Sequence, residues 1–298
     1  MTNPLVSIIV VSYNHSKYIN ENLDSIKNQT YSNIELIVAD DASPDNSVQV
    51  FDSWLEDNNY QAVKNYHTKN TGLATVLNEC IALAKGKYIK LIAADDYLHP
   101  RSILECVERL EELGEDFGLV FTDFEAVNDS NLAMPFHINY SDIEFDENGV
   151  LSDKQLLDYN CIIAPTTLIR RDLIIKTGEY KANFLLEDYD RWLRINAISK
   201  IVFINKKLSF YRVLETSISN TEKPQMIIED LYLRIKYDTN GFIKNKIDSQ
   251  IRNLYLYDYV PQILIKAYNN YPFKKKWLSF FLTNKLPKKM YIFLYNLR

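Results

Sequence analysis

The stretch PLVSIIVVSYN, residues Pro4–Asn14, decides the fold of this chain. Val6–Val11 is continuous and rich in β-branched residues, which is typical of a strand buried on both faces. Ile19, Leu23 and Ile26 follow at the spacing of one helical face. A buried strand that leads into an amphipathic helix is the unit from which parallel sheets are built.

The same alternation recurs along the first half of the chain. Ser43 and Pro44 have the residue types of a helix N-cap and first position, and Gly86 would end the helix predicted over Leu73–Ala84. A further helix follows His99-Pro100, and another is predicted at Asp188–Asn196. The predicted strands are Ile34–Ala39, Ala62–Tyr66, Tyr88–Ala93, Gly118–Thr122 and Lys200–Ile204, and Ile162–Ile169 is a further apolar segment. The pattern predicts an α/β fold with a mostly parallel sheet flanked by helices, and a polar loop or lid over Phe136–Leu157.

Charge divides the chain into an acidic body and a basic end. The chain has 298 residues and a net charge of -5, and its acidic residues are concentrated before residue 222. Residues 266–298 carry eight Lys and Arg, no Asp or Glu, and nine interleaved aromatic residues. We therefore predict a body over residues 1–220 and a helical, basic and aromatic C-terminal extension over residues 221–298.

Two common classes of nucleotide-binding protein are disfavoured. The chain has only seven glycines and contains neither Gly-x-Gly-x-x-Gly nor a Gly-x-x-x-x-Gly-Lys-Ser/Thr loop. This argues against a dinucleotide-binding dehydrogenase and a P-loop NTPase. Three widely spaced cysteines in apolar contexts, Cys80, Cys106 and Cys161, are typical of reduced thiols, and we expect a cytoplasmic protein.

Polar residues gather where the predicted strands end. The first strand runs into Tyr13, the second into Asp40-Asp41, and the fourth into Asp95-Asp96. Ligands of open parallel sheets bind beyond these carboxyl ends. Adjacent carboxylates favour a hard divalent cation such as Mg²⁺, which binds one or two carboxylates together with substrate phosphates. A single pair is more often a turn or the cap of the next helix, but two pairs on one edge favour a site.

These segments together resemble glycosyltransferase family 2. PLVSIIVVSYN resembles the family's first strand, IELIVADDAS-x-D its second strand and acidic pair, and NTGLATVLNECIALAKGKYIKLIAADD the run to its metal-site carboxylates. APTTLIRRDLIIKTGEY, LLEDYDRWLRI and FYR-x-x-x-x-S-x-S resemble its second half. The resemblance covers about Pro4 to Asn220. It implies a Rossmann-like GT-A fold and an inverting, metal-dependent transfer of sugar from a nucleotide-sugar, with UDP as the expected nucleotide.

The resemblance also implies roles for individual residues. Tyr13 would border the base, Asp41 would hydrogen-bond it with Asp40 alongside, and Asp95 would hold the ribose. Asp96 would ligate Mg²⁺ or Mn²⁺. Asp188 would be the general base that takes the acceptor proton, with Glu187 beside it.

Some features leave alternatives open. Acidic residues also favour a helix N-terminus, which is the other interpretation of Glu187-Asp188. Trp192 either lines the acceptor pocket or belongs to the core. The four histidines, His15, His67, His99 and His137, have no metal-ligand spacing and are predicted to be structural or superficial.

Three positions depart from the family pattern. Ala93 stands where many members have a further Asp, and Leu77 stands where many have Arg. Val213-Leu214-Glu215 follows Tyr-Arg where many members have a histidine. The missing carboxylate at Ala93 leaves room for a non-catalytic sugar- or nucleotide-binding protein on the same fold, although Asp95, Asp96 and Asp188 together argue against it. A sugar-phosphate nucleotidyltransferase is the other enzyme considered, but its Gly- and Arg-rich phosphate loop is absent from the sequence.

The expected partners are a nucleotide-sugar donor and a saccharide or lipid-linked saccharide acceptor, in cell-surface polysaccharide or glycolipid assembly. The basic, aromatic C-terminal extension suits an anionic membrane surface, which would make the protein peripheral on the inner face of the cell membrane. A helical bundle with a solvated basic face is the alternative. Nucleic acid is not expected, because the body is strongly acidic.

Overall fold

The structure is a computed structural model that describes residues 3–182, 184–214, 224–257 and 259–296, with side chains as far as residue 292. The chain divides into two compact units. The sheet unit comprises Met1–Ser152 and Cys161–Asn220, and the helical unit comprises Asp153–Asn160 and Thr221–Arg298.

One mixed sheet forms the sheet unit. Its strands are β1 (Val6–Ser12), β2 (Ile34–Asp40), β3 (Ala62–Tyr66), β4 (Tyr88–Ala93), β5 (Tyr97–Leu98), β6 (Phe117–Val127), β7 (Leu168–Arg170) and β8 (Lys200–Arg212). The helices of this unit are α1 (Ile19–Lys27), α2 (Ser47–Asp57), α3 (Leu73–Leu83), α4 (Ser102–Leu113), α6 (Arg171–Lys176) and α7 (Glu187–Asn196). Helix α5 (Asp153–Asp158) belongs to the helical unit.

The sheet has the order β3-β2-β1-β4-β7-β6-β8-β5. Strands β3, β2, β1 and β4 are mutually parallel, and β6 is parallel to β8. The short strand β7 runs antiparallel to both of its neighbours and joins these two groups, and β5 runs antiparallel to β8. All seven residues of β1 are buried, as expected for a central strand with helices on both faces. The predicted mostly parallel α/β fold is therefore confirmed.

The helical faces predicted from periodicity are the faces that the structure buries. Ile19, Leu23 and Ile26 of α1 are at most 1% exposed, and Phe51 and Leu55 of α2 join them in one apolar core. Ile103, Val107 and Leu110 of α4 pack in the same core.

Several predicted boundaries are wrong. Helix α2 begins at Ser47 rather than near Ser43, because Asp45, not Ser43, accepts the hydrogen bond from the Ser47 amide, at 3.0 Å. The apolar segment Ile162–Ile169 contains a turn of 3₁₀ helix over Ala164–Thr166, which includes Pro165, and then enters β7. Strand β8 runs on to Arg212.

The stretch Phe136–Leu157 was predicted to be a loop or lid, but it contains regular structure. It includes a 3₁₀ turn, Tyr140–Asp142, and most of α5. Phe136 and Tyr140 pack edge-on against Phe124 of β6. Aromatic packing therefore holds part of this stretch against the sheet.

The helical unit contains α5 and α8 (Pro224–Tyr237), α9 (Lys244–Tyr257), α10 (Gln262–Asn270), α11 (Lys276–Thr283) and α12 (Lys288–Asn296). Leu233, Ile247, Ile251 and Leu264 are fully buried in it. Arg234 of α8 donates to the carbonyl oxygens at the end of α5, which ties residues 153–160 to this unit. Across the described ranges, no helix combines the length and the hydropathy that crossing a bilayer requires.

Candidate active site

The parallel register aligns the predicted site residues on one edge of the sheet. Ser12 at the end of β1 pairs with Asp40 at the end of β2, and Val11 pairs with Ala93 at the end of β4. The turns that follow these three strands therefore leave the same edge of the sheet.

Tyr13 is presented to solvent directly after β1. Its side chain is 49% exposed, which is unusual for a large aromatic residue next to a buried strand. The following residue, Asn14, has a φ of 63°, and its amide donates to Ser43 Oγ at 2.8 Å. This link fixes the turn that follows β1 against the turn that follows β2. Tyr13 is thereby free to stack on a flat ligand at the sheet edge.

The carboxylate of Asp40 builds this turn. It is fully buried and accepts hydrogen bonds from the Ser43 amide at 2.8 Å and from Ser43 Oγ at 2.5 Å. These bonds engage both of its oxygens, so in this conformation Asp40 supports the turn that positions Asp41.

Asp41 lies in a cage of donors at the start of α3. Its Oδ1 accepts from the Thr71 amide at 2.8 Å and from Thr71 Oγ1 at 3.1 Å, and its Oδ2 accepts from the Gly72 amide at 2.8 Å. Burial opposes ionisation, but these amides and the neighbouring His67 outweigh it and lower the pKa of the Asp41 carboxyl. Asp41 is therefore a fixed, ionised hydrogen-bond acceptor.

His67 was predicted to be structural or superficial, but it touches the candidate site. Its Nδ1 lies 2.9 Å from Asp41 Oδ1, and its Nε2 lies 2.7 Å from Glu79 Oε2 on α3. His15 is likewise in the site, since its Nδ1 lies 3.5 Å from Asp95 Oδ1. Histidine spacing in the sequence carried no signal of either contact, because both depend on chain segments that meet only in the fold.

Asp95 and Asp96 form a buried acidic turn after β4. Asn22 of α1 holds the turn by donating to the carbonyl oxygens of Ala93 and Asp96, at 3.1 and 2.8 Å. Burial raises the pKa of Asp95, and burial together with the charge of Asp95 raises the pKa of Asp96 well above its usual value. The fold thus holds two carboxyl groups together at a free-energy cost that a cation would relieve.

Arg212, at the end of β8, is the residue that organises this turn. Its backbone amide donates to Asp96 Oδ1 at 2.8 Å, and its Nε donates to the Asp95 carbonyl at 2.9 Å. Its Nη1 donates to the Asn128 carbonyl at 2.7 Å, and its Nη2 pairs with Glu21 at 2.6 Å. The sequence indicated the Tyr-Arg motif but not this buried network.

The two carboxylates fit a divalent cation only in part. Among the described residues, no three His, Cys, Asp or Glu side chains converge into a metal-binding cluster. Asp96 already accepts one hydrogen bond, and Ala93 contributes no carboxylate. Mg²⁺ and Mn²⁺ sites that take the remaining oxygens from substrate phosphates require no more than one or two carboxylates. The residues fit a cation that binds together with a diphosphate.

Asp188 and Glu187 occupy a second location, the first turn of α7. Asp188 is half-buried and accepts from the Tyr189 amide at 2.5 Å. Desolvation by the surrounding protein raises the pKa of the Asp188 carboxyl to about 6, against the opposing effect of this amide. A carboxylate with such a pKa is ionised near neutral pH and is more basic than an ordinary aspartate.

A cavity of about 620 Å³ opens beside the segment that precedes α7. Its wall is formed on one side by α3, including Asn78 and Glu79, and on the other by Glu179–Ala182. Asn78 exchanges two hydrogen bonds with the backbone of Tyr180, at 2.9 and 2.8 Å, and so fixes the two walls together. Burial, with Glu187 and Asp188 contributing, raises the pKa of Tyr180 to about 12.

Trp192 does not line this cavity. Its side chain is fully buried within α7, so in this conformation it offers no surface to an acceptor. Burial of Trp192 together with Tyr189 and Ile195 favours the core interpretation, and the acceptor-side role stays a prediction.

Comparisons with known proteins identify the family of this chain. The model of the family described as glycosyl transferase family 2 matches residues 7–178. The chain is 30% identical over 225 residues to "Glycosyltransferase GlyG" of Streptococcus pneumoniae serotype 4, covering 73% of this chain and 74% of that protein.

Solved structures show the same fold at low sequence identity. The structure of S. aureus TarS 1-349 in complex with UDP-GlcNAc has a TM-score of 0.66 and 17% identity, covering 92% of this chain and 82% of that one. A mannosyltransferase from Pyrobaculum calidifontis, in complex with GDP-Man and Mn2+, has a TM-score of 0.59 and 16% identity, covering 90% of this chain and 74% of that one. The fold is that of GT-A glycosyltransferases, and the chain belongs to glycosyl transferase family 2.

Proposed function

We propose that this protein transfers a sugar from a UDP-sugar to an acceptor hydroxyl, with inversion at the anomeric carbon. The observation that carries the proposal is the sheet edge that combines exposed Tyr13, ionised Asp41 and the acidic turn Asp95-Asp96. The aromatic face of Tyr13 matches a nucleotide base, and the acceptor Asp41 matches the ring N–H of that base. The carboxylates Asp95 and Asp96 match a metal-bound diphosphate.

The proposed division of labour follows from the contacts. Tyr13 stacks on the base, Asp41 accepts its ring N–H, and Asp95 binds the ribose hydroxyls. Asp96 holds Mg²⁺ or Mn²⁺, which when bound would offset the negative charge that develops on the departing diphosphate.

Asp188 is proposed as the base. An acceptor hydroxyl becomes a nucleophile only as its proton leaves, and a half-buried carboxylate with a pKa of about 6 can take that proton near neutral pH. Attack on the face opposite the diphosphate, in one displacement, inverts the configuration. The cavity beside Tyr180 has room for the acceptor saccharide.

The base specificity gives the sharpest test. UDP presents a ring N–H to Asp41, whereas the corresponding nitrogen of CDP is an acceptor that would face a carboxylate. Titration calorimetry on the wild-type protein should show UDP binding at least about a hundredfold more tightly than CDP, because a site built for a donor rejects its absence strongly. Equal affinities for UDP and CDP would show that Asp41 does not recognise the ring N–H of the base.

Turnover is tested separately from binding. Incubation with a panel of UDP-sugars and simple saccharide acceptors should release UDP and form a product of inverted anomeric configuration, readable by proton NMR. Tight UDP binding without turnover for any donor would favour a non-catalytic binding protein instead.

We further propose that the helical unit contacts an anionic membrane surface. Its exposed side chains include Phe280 and Ile292 and the lysines Lys276, Lys285 and Lys289. Basic and apolar groups exposed together favour adsorption to anionic lipid. This would bring the enzyme to lipid-linked acceptors.

Vesicle sedimentation tests this second proposal. The wild-type protein should sediment with vesicles that contain phosphatidylglycerol, less so at high salt, and not with pure phosphatidylcholine. Gln at the three lysines should abolish binding, whereas Gln at Lys27, Lys64 and Lys206 of the sheet unit should not. Unchanged sedimentation of the first variant would refute it.

A further inference from the structure

His67 is held at both of its ring nitrogens by acidic side chains from different elements. Nδ1 lies 2.9 Å from Asp41 Oδ1, and Nε2 lies 2.7 Å from Glu79 Oε2. The ring is largely buried, with 12% of the side chain exposed, and its backbone amide donates to the Asp40 carbonyl at 2.8 Å. Backbone and side chain together fix the imidazole beside Asp41.

Proton counting assigns the charge of this ring. A neutral imidazole has one N–H, whereas ionised Asp41 and Glu79 can only accept. Both short contacts are hydrogen bonds only if the ring carries two protons. Although burial disfavours the charged form, Glu79 and then Asp41 outweigh it and raise the pKa of His67. Geometry and charge both indicate an imidazolium.

The contact decides which oxygen of Asp41 remains for a ligand. Oδ1 is surrounded by His67 Nδ1, the Thr71 amide and Thr71 Oγ1. Among the hydrogen bonds of the described residues, Oδ2 receives one, from the Gly72 amide. Oδ2 therefore keeps lone-pair capacity for one more donor, and the donors on Oδ1 prevent the carboxylate from rotating away.

We propose that His67, as an imidazolium bridging Glu79 and Asp41, is a positioning residue that holds Asp41 Oδ2 toward the ring N–H of the donor's base. The inference rests on the proposed UDP-sugar site. It adds that the affinity for the uracil base depends on pH, through a histidine that does not touch that base. Loss of the Nδ1 proton leaves a ring lone pair 2.9 Å from Asp41 Oδ1, and that lone pair then accepts from Thr71 Oγ1, which lies 2.9 Å from Nδ1. Asp41 Oδ1 then loses the His67 donor and competes for the Thr71 hydroxyl, so that the Thr71 and Gly72 amides are its remaining fixed donors.

The groups that face the ring are few. Asp41 approaches from the turn after β2 and Glu79 from α3, and the Thr71 hydroxyl lies 2.9 Å from Nδ1. Asn65 of β3 donates to the same Glu79 oxygen at 3.0 Å. Asn65 also lies 3.6 Å from the thiol of Cys80, whose pKa burial raises to about 11, so that the thiol stays neutral. Two carboxylates and no second cation thus set the charge of His67 within the described part of this cluster.

The experiment measures the dissociation constant of UDP by calorimetry between pH 6 and 9. The proteins are wild type, His67→Gln, Glu79→Gln and His99→Gln. The pH range begins below the ordinary histidine pKa of about 6.5 and extends well above it. His99 is the matched control, because its ring accepts from the Arg101 amide away from Asp41. Proton NMR of the imidazole signals, with His67 identified by its loss in His67→Gln, reports the charge of the ring directly.

The expected result is wild-type affinity that falls about tenfold as pH rises through the pKa of His67, as for loss of one charge-assisted hydrogen bond. His67→Gln should bind about tenfold more weakly at low pH and show no such slope. Glu79→Gln should move the slope to lower pH, since it removes the charge that most favours the imidazolium. His99→Gln should match the wild type.

Two failures are distinguishable. If wild type binds UDP, and His67→Gln binds it with the same affinity and the same pH dependence, the role of His67 is overturned and the proposed function stands. Wild type that binds no UDP at any pH would overturn the donor site, and the role of His67 with it. An imidazole that titrates at or below the ordinary histidine pKa would also overturn the bridge.

Discussion

Replacement of Arg212 by methionine should destabilise the sheet unit and disorganise the acidic turn together. Methionine approximates the length of the arginine stem but provides no donor. The change removes the side-chain hydrogen bonds to the carbonyl oxygens of Asp95 and Asn128 and the ion pair with Glu21, while the backbone bond to Asp96 remains possible.

The magnitude can be worked from these contacts. Two carbonyl oxygens, one buried and one partly buried, lose a charged donor, at about 1–2 kcal/mol each. The pair with Glu21 adds less than about 1 kcal/mol, because the Glu21 side chain is 38% exposed and solvent screens it. The expected loss in free energy of unfolding is about 2–5 kcal/mol.

Urea denaturation followed by circular dichroism measures this loss, with Arg101→Met as the matched control. Arg101 precedes α4 as its N-cap residue and pairs with Glu105 through a side chain that is 52% exposed, so its replacement should cost less than about 0.5 kcal/mol. A loss below 1 kcal/mol for Arg212→Met, similar to the control, would refute the view that the Arg212 side chain helps to hold the turn.

Three further predictions concern the proposed base, the His67 bridge and the core. Asp188→Asn should lower kcat by about 10²–10⁴-fold. Wild-type kcat should rise with pH through about 6 and then level, because only the ionised carboxylate accepts a proton. A pH profile of kcat that is the same in Asp188→Asn as in wild type, in steady-state assays, would exclude this role. Because the pKa of His67 is raised in the folded protein, protonation of His67 should add to the free energy of unfolding. This contribution should be complete below the unfolded histidine pKa of about 6.5 and should be lost as pH rises through the folded pKa. Urea denaturation of His67→Gln should show no such loss. Trp192→Ala should destabilise the fold by about 3–5 kcal/mol, whereas Trp192→Phe should leave the acceptor KM unchanged; a raised KM would return Trp192 to the acceptor site.

The sequence predicted the sheet because its signals are local. The uninterrupted apolar run of β1 and the spacing of Leu23 and Ile26 on α1 report burial directly. Register then follows: parallel strands of similar length end together, so the polar residues behind β1, β2 and β4 had to share an edge.

Antiparallel β7 and the helix boundary at Ser47 could not be predicted in the same way. The three residues of β7 are too few to show a period, and their direction is set by the strands on either side. At α2 several polar side chains lie close together: Ser43 is engaged by Asp40, Asp45 accepts from the Ser47 amide, and the N-cap position falls to Asn46.

The electrostatic network of the site was hidden for a related reason. Arg212 lies 116 residues from Asp96, and His67 lies 26 residues from Asp41. No spacing rule links such positions, so the residues that hold the acidic groups emerge only from the fold. The acidic groups themselves were evident, because adjacent carboxylates after a strand are conspicuous in any sequence.

The central claim is a donor site at the sheet edge in which Asp96 binds UDP through a divalent cation. Calorimetric titration of UDP with and without Mn²⁺, on wild type and Asp96→Asn, tests it most directly, with Asp52→Asn as a surface control. Asparagine can still accept from the Arg212 amide, so the turn should survive the change. We predict that Mn²⁺ tightens UDP binding at least about tenfold in wild type and control and has no effect in Asp96→Asn. Equal affinities with and without Mn²⁺ in the wild type, or the same Mn²⁺ effect in Asp96→Asn, would contradict the claim.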